Sequence, residues 1–330
     1  MAFSRPAPPT HLALCLTLLA AAAPGSLLAQ QGEPTGAVAQ IDLWTAAPAG
    51  MDLDYAFLTV PSGLSGGGAL LSLAPERQAT PRFSLAWRFG GRHRLQVGGA
   101  FWQYDAVASG ETGPTDRAVG ALLASPDFAI GRSQVDTARA RLEMRASFFE
   151  AFLSWSPPGN EGLTLAAGVR GVRLQRQEVV TYGMEAFGTQ LEEIINRRTD
   201  ASAWGPVTRL AYQLPVGRHW SFEGGVTLAW VVGDVDIRAA DSAFVAGSFD
   251  RATLVESRGR SVTGLQVDGR LQIVRRLTSR LDLRAGWSFS HWGQMARAYR
   301  FVDDVSQNSA VIETDSVAFE GLFLGVVFAP

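Results

Sequence analysis

The sequence predicts an all-β protein, a closed antiparallel up-and-down transmembrane β-barrel of about ten strands. The first observation behind this is strict alternation. In Arg82-Phe83-Ser84-Leu85-Ala86-Trp87-Arg88-Phe89 every second residue is large and apolar, while the residues between are small or charged. That is the period of a strand with one oily face and one wet face. The second observation is the punctuation. Tight turns such as Gly90-Gly91 alternate along the chain with long polar stretches, as short periplasmic turns alternate with long extracellular loops in outer-membrane barrels. The third is composition. Charged residues make up 18% of the 330 positions, against ~25% in ordinary soluble domains, and there are 35 glycines and 9 tryptophans.

The strands follow in order. The first runs near Val38 to Trp44, with Gln40 and Asp42 opposite Ile41 and Leu43. Pro61-Ser62-Gly63 and Gly66-Gly67-Gly68 mark a long loop, and the stretch Asp52 to Val60 is where a further strand would fit. Pro81 to Phe89 and Arg94 to Asp105 form a hairpin, followed by a loop from Ala106 to Val135 carrying Gly110, Gly113, Pro114 and Pro126. Ala138 to Trp155 ends at the turn Ser156-Pro157-Pro158-Gly159-Asn160, which leads into Leu163 to Thr181. Tyr182 to Ala201 is expected to be a loop in which Leu191 to Arg198 has the spacing of a short amphipathic helix.

Ser202 to Tyr212 turns at Pro215-Val216-Gly217 into Trp220 to Arg238. There Trp220, Phe222, Val226, Leu228 and Trp230 share one face, and Ser221, Glu223, Thr227 and Ala229 the other. Arginine is therefore expected to be tolerated at Thr227 and rejected at Leu228. Ser257 to Val274, Arg280 to Ala298 and Thr314 to Phe328 complete the set. A hairpin motif recurs: Gly91-Arg92-His93 before Gly98-Gly99, and Gly217-Arg218-His219 before Gly224-Gly225. An open sheet edge in hydrocarbon would leave backbone groups unpaired at several kcal/mol each, so the strands must close on themselves.

Residues 1–29 read as a secretory signal peptide, with Arg5, the apolar run Leu12 to Ala23 and small residues up to Ala29; residues 30–330 read as the barrel with its long extracellular loops. Cys15, the single cysteine, falls in the apolar run and leaves the mature chain without thiol or disulfide. Net charge is −2, which provides no broad basic surface for nucleic acid. The expected location is the outer membrane of a Gram-negative-type (diderm) bacterium. Outer-membrane lipid, lipopolysaccharide and the barrel-assembly machinery are the expected partners, with small solutes as a further possibility.

Function is expected on the inward face. By parity it carries Arg82, Arg88, Gln96, Glu143, Arg145, Arg170, Arg209, Glu223, Gln266, Asp268, Arg270, Asp282, Arg284 and Glu320. Two arrangements stay open. The arginines either line a porin-like channel for small hydrophilic solutes, or pair with the carboxylates in a filled, non-conducting structural or adhesive barrel. A soluble secreted β-rich protein is the alternative outside the membrane. The aromatics Trp87, Trp102, Tyr104, Trp155, Trp204, Tyr212, Trp220, Trp230, Trp287 and Trp292 are expected as interfacial girdles.

No catalytic residue, cofactor or metal is assigned. His93 and His219 fall in short turns and His291 on the apolar parity, so no base is placed to serve a nucleophile at an outer rim. The acidic pairs Asp303-Asp304 and Glu192-Glu193 read as solvated loop residues rather than as cation ligands.

From about Val38 onward the chain resembles the Legionella major-outer-membrane-protein-like family of pore-forming proteins. The resemblance lies in Ile41-Asp42-Leu43-Trp44 with Leu53-Asp54-Tyr55-Ala56, in Phe148-Phe149-Glu150-Ala151 before Leu165-Ala166-Ala167-Gly168-Val169-Arg170, in His219-Trp220-Ser221-Phe222-Glu223-Gly224-Gly225, and in Phe319-Glu320-Gly321-Leu322-Phe323-Leu324-Gly325. It implies an outer-membrane barrel with porin activity and no enzyme residues.

Overall fold

A computed structural model of the chain describes residues 36–49, 53–59, 69–89, 92–111, 118–121, 134–160, 162–301 and 310–329. The leader assignment lies outside them, as does Asp303-Asp304. Ten strands form the wall: β1 (Ala37–Ala49), β4 (Gln78–Phe89), β5 (His93–Glu111), β8 (Thr137–Trp155), β9 (Leu163–Ala186), β10 (Thr189–Val216), β11 (Trp220–Val245), β12 (Ser248–Arg276), β13 (Leu281–Phe301) and β14 (Ala310–Phe328). Each pairs antiparallel with its neighbours, and β1 closes the ring against both β14 and β4. The predicted barrel and its ten wall strands are what the chain forms.

Two predicted loops are instead hairpins. Residues 182–201 continue β9 and β10 up to Ala186 and Thr189, with no helix, and 239–256 continue β11 and β12 in the same way. Their tips are Phe187-Gly188 and Ala246-Gly247, both residues of each pair at positive φ. That is the two-residue turn whose twist matches the flanking strands. Phe-Gly and Ala-Gly lack the asparagine or aspartate that normally signals it, so only the glycine was there to be read.

The loop segments after β1 and β5 also acquire structure. β2 (Asp54–Thr59), β3 (Ala69–Ser72), β6 (Ala118–Ala121) and β7 (Gln134–Val135) form a separate four-stranded sheet. Leu53, Tyr55, Ala56 and Leu73 pack on Ala106, Ala138, Ala140, Leu142, Val180, Tyr182 and Ile195, all of which point inward. The Tyr182 hydroxyl donates to the Tyr55 carbonyl. The sheet therefore lies inside the wall, against the upper parts of β8 to β10.

The outside of the wall has two zones. Towards the short turns, Phe83, Trp87, Leu95, Phe101, Phe149, Leu153, Leu165, Val169, Leu210, Phe222, Leu228, Leu271, Ile273, Leu322 and Leu324 are all exposed. So large a continuous apolar surface is stable only against lipid. Trp87, Trp155, Tyr212 and Trp220 edge it on the turn side, and Trp204 and Trp230 on the other. Above it the outer positions turn polar: Gln103 and Asp105, Arg141 and Glu143, Arg173 and Asp200, Asp234 and Asp236, Glu256 and Arg258. β12 has 29 residues, whereas a tilted strand crosses the hydrocarbon in ~9 to 11. The wall stands well clear of the membrane on the loop side.

Candidate functional site

The interior is stratified, and its floor is charged. On β8 the even positions face inward, which puts Glu150 in the bore between Phe148 and Phe152. Its carboxylate is the hub. Arg170 of β9 donates to Oε2 at 2.5 Å, Arg209 of β10 to Oε1 at 2.6 Å, and Arg82 of β4 lies 3.6 Å away. The same Arg170 reaches Asp268 of β12 at 2.5 Å, and Asp268 accepts from the Ser290 hydroxyl. Arg270 pairs with Asp42 of β1 at 2.8 Å. Gly325 of β14 leaves room for that aspartate, because any Cβ there would collide with the Asp42 carboxylate. Gln272 donates to Glu223, and Arg284 donates to Gln40 at 3.0 Å. Arg170 is 0% exposed at its side chain, so these are cross-bore bonds inside the wall.

Directly above lies an aromatic layer. Trp102 stacks on Phe319 with centroids 4.8 Å apart, and meets Trp44 at 5.5 Å, Phe148 at 5.5 Å and Trp292 at 5.7 Å. Tyr104 stacks on Phe319 and donates to the Ala46 carbonyl at 3.0 Å. Trp102 on β5 and Trp292 on β13 stand four strands apart in a ten-strand ring, so their contact spans most of the bore. The guanidinium of Arg170 sits 4.7 Å from the Phe148 ring and ties floor to layer.

The backbone narrows the bore further. Pairing of β12 with β13 ends at Gln266 and Trp292, and on the other side Gly293, Gln294 and Met295 face the single residue Ser316 of β14. Gln294 has φ 61°. At this bulge β13 turns inward: its Cα atoms come within 8 Å of those of β9, β10 and β11. Along the wall β9 and β13 are four strand spacings apart, ~19 Å at ~4.8 Å each. Gly264 permits the turn, since a Cβ there would lie 2.6 Å from the Gly293 carbonyl oxygen.

Higher still, clear of the lipid-facing zone, Glu178 accepts from Arg197 at 2.7 Å and Arg176 at 2.9 Å. Burial alone would raise the Glu178 carboxyl, but the two guanidiniums override it and hold it below the usual carboxylate range.

Among the residues expected on the inward face, Arg82, Arg88, Arg170, Arg209, Glu223, Asp268, Arg270, Asp282 and Arg284 lie on inward positions, as do Gln96 and Gln266. Three do not. Glu143 and Arg145 project outward from β8, where Glu143 pairs with Arg141 at 2.6 Å in solvent, and Glu320 projects outward from β14 beside Leu322. The cause is parity: aromatics occupy both faces of β8 and β14, so hydrophobicity does not say which face is lipid. The same ambiguity explains the misplaced aromatics. Trp102, Tyr104 and Trp292 are buried in the bore, not in a girdle. Sequence reasoning missed Glu150 for this reason, and missed Arg94, although its shared parity with Gln96 was there to see. Glu192 and Glu193 fall on opposite faces, the second one buried, so they form neither a solvated loop nor a joint ligand set. His93 and His219 lie at turns and His291 on the outer face, so among the described residues no imidazole enters the bore.

Fold and surface together define an outer-membrane β-barrel protein. No family model matches the sequence, and no curated protein matches it. The chain is similar to a number of solved structures. The outer membrane protease OmpT of Escherichia coli has a TM-score of 0.42 at 9% identity, over 91% of this chain and 99% of that one. A FadL homologue of Pseudomonas aeruginosa gives 0.30 at 10%, over 89% and 90%, and the toluene transporter TbuX of Ralstonia pickettii 0.32 at 12%, over 90% of each.

Proposed function

We propose that this protein is a barrel closed to hydrophilic solutes at membrane level, a structural outer-membrane protein that presents its long wall to the exterior. The observation that supports it is Arg170 bridging Glu150 and Asp268 beneath the Trp102 and Trp292 contact. A hydrated ion passing this level would have to part buried ion pairs and displace packed indoles together.

The second reading is a porin, and the surplus of inward arginine favours it, as does the resemblance to the pore-forming Legionella family. Planar-bilayer recording separates the two. Folded wild-type protein is expected to give no conductance steps, while Trp102→Ala combined with Trp292→Ala gives them. Steps from the wild type, with anion preference, would establish the porin instead.

A further inference from the structure

Below the Glu150 hub, at the turn-side end of the bore, the arginines outrun their partners. Arg88 of β4 and Arg94 of β5 are directly opposite each other on the inner face. Like charges in that position repel. Arg284 of β13 faces the same space through Gln40 of β1, and Arg209 stands one rung deeper. Arg94 experiences the positive charges of Arg88, Arg284 and Arg209, and is relieved by Glu223.

At this end of the bore, among the described residues, Glu223 is the one inward carboxylate facing Arg94, and it also accepts from Gln272; the others are engaged elsewhere. Glu150 serves Arg82, Arg170 and Arg209, Asp268 serves Arg170, Asp42 serves Arg270, and Asp282 at the rim lies 3.7 Å from Arg276. Among the described residues Arg88, Arg94 and Arg284 form no ion pair. The Nε atoms of Arg94 and Arg284 and one terminal nitrogen of Arg270 are buried without a hydrogen-bond partner. A buried donor left unmade costs ~1 to 3 kcal/mol, and more when charged.

We propose that this turn-side vestibule is a binding site for a small phosphate-type oxyanion, held by Arg88, Arg94 and Arg284. Such an anion satisfies the free N–H groups through its several oxygens, offers guanidinium the geometry it matches best, and cancels the repulsion between Arg88 and Arg94. The anion comes from solution through the turn-side opening, because the guanidiniums face the bore and the wall separates them from lipid headgroups. The site is independent of whether the bore above conducts.

The test uses folded full-length protein and inorganic phosphate, with chloride at matched ionic strength as the control. Phosphate is expected to raise the thermal midpoint of the wild type. Arg94→Gln is expected to be more stable than the wild type in chloride, through relief of repulsion, and to show no response to phosphate. Arg284→Gln keeps the Arg88 and Arg94 pair and is expected to weaken phosphate binding by about tenfold or more in calorimetry. The proposal is overturned if Arg94→Gln is less stable than the wild type in chloride, if phosphate stabilises both equally, or if only vesicles of anionic phospholipid stabilise the wild type.

Discussion

Glu150 gathers three guanidiniums from three different strands. A carboxylate buried without cations would simply remain protonated, so its partners are a condition of its charge. Glu178 repeats the arrangement above the membrane with Arg176 and Arg197, and there it has a consequence for pH. Its pKa is lower in the folded state than in the unfolded chain. The stability it contributes is therefore complete above the ordinary carboxylate value of 4.5 and is lost as pH falls through the lower folded value. Glu178→Gln is expected to be less stable than the wild type at about pH 7, and the gap should narrow as acid is added towards about pH 3. Thermal unfolding of both proteins across that range checks it; a gap that stays constant would mean that Glu178 does not carry its charge into the fold.

At the level of the element, one strand carries several environments distinguished by parity and height. On β11 Leu228 is outward in the apolar zone and Asp234 is outward above it, while Thr227 is inward, buried, and accepts from Arg209 Nε at 3.0 Å. Leu228→Arg should cost ~2 to 4 kcal/mol at mid-membrane, whereas Asp234→Arg should cost ~0 to 1. Denaturant titration of both variants in lipid vesicles measures the difference, and equal costs would misplace the membrane. The tolerance expected of arginine at Thr227 is withdrawn: beside Arg209 there is neither space nor a free carboxylate. β13 shows the element at its most specialised. By giving up its partners at Gly293 to Met295 it places Trp292 and Met295 in the bore, exchanging ladder hydrogen bonds for core burial.

For the whole molecule, the closed ring sets which end faces which compartment. Four short turns gather at one end with both ends of the ring seam, and the tips Phe187-Gly188 and Ala246-Gly247 rise from the other. Cys15 is the single cysteine of the sequence, so new single cysteines can be placed in a Cys15→Ser background. A cysteine at Gly188 or Gly247 is expected to react with an impermeant maleimide on intact cells, and one at Gly159 only after the outer membrane is opened. The reverse pattern would invert the barrel.

The ten wall strands, most of the inward arginines and the lipid-facing side of β11 were legible in the chain, because alternation with period two is a local property and membrane closure leaves it only one solution. Glu150, the Trp102 layer and the outward placement of Glu143, Arg145 and Glu320 were not, since where both faces of a strand carry aromatics the pattern does not say which is inside. The hairpin extensions turned on Phe-Gly and Ala-Gly pairs whose turn type shows only once the strands are paired. The contacts that fill the bore come from tertiary structure alone. The pairing of Arg170 with Asp268, the meeting of Trp102 with Trp292 and the inward bend of β13 join residues far apart in sequence, and only closing the ring brings them within reach.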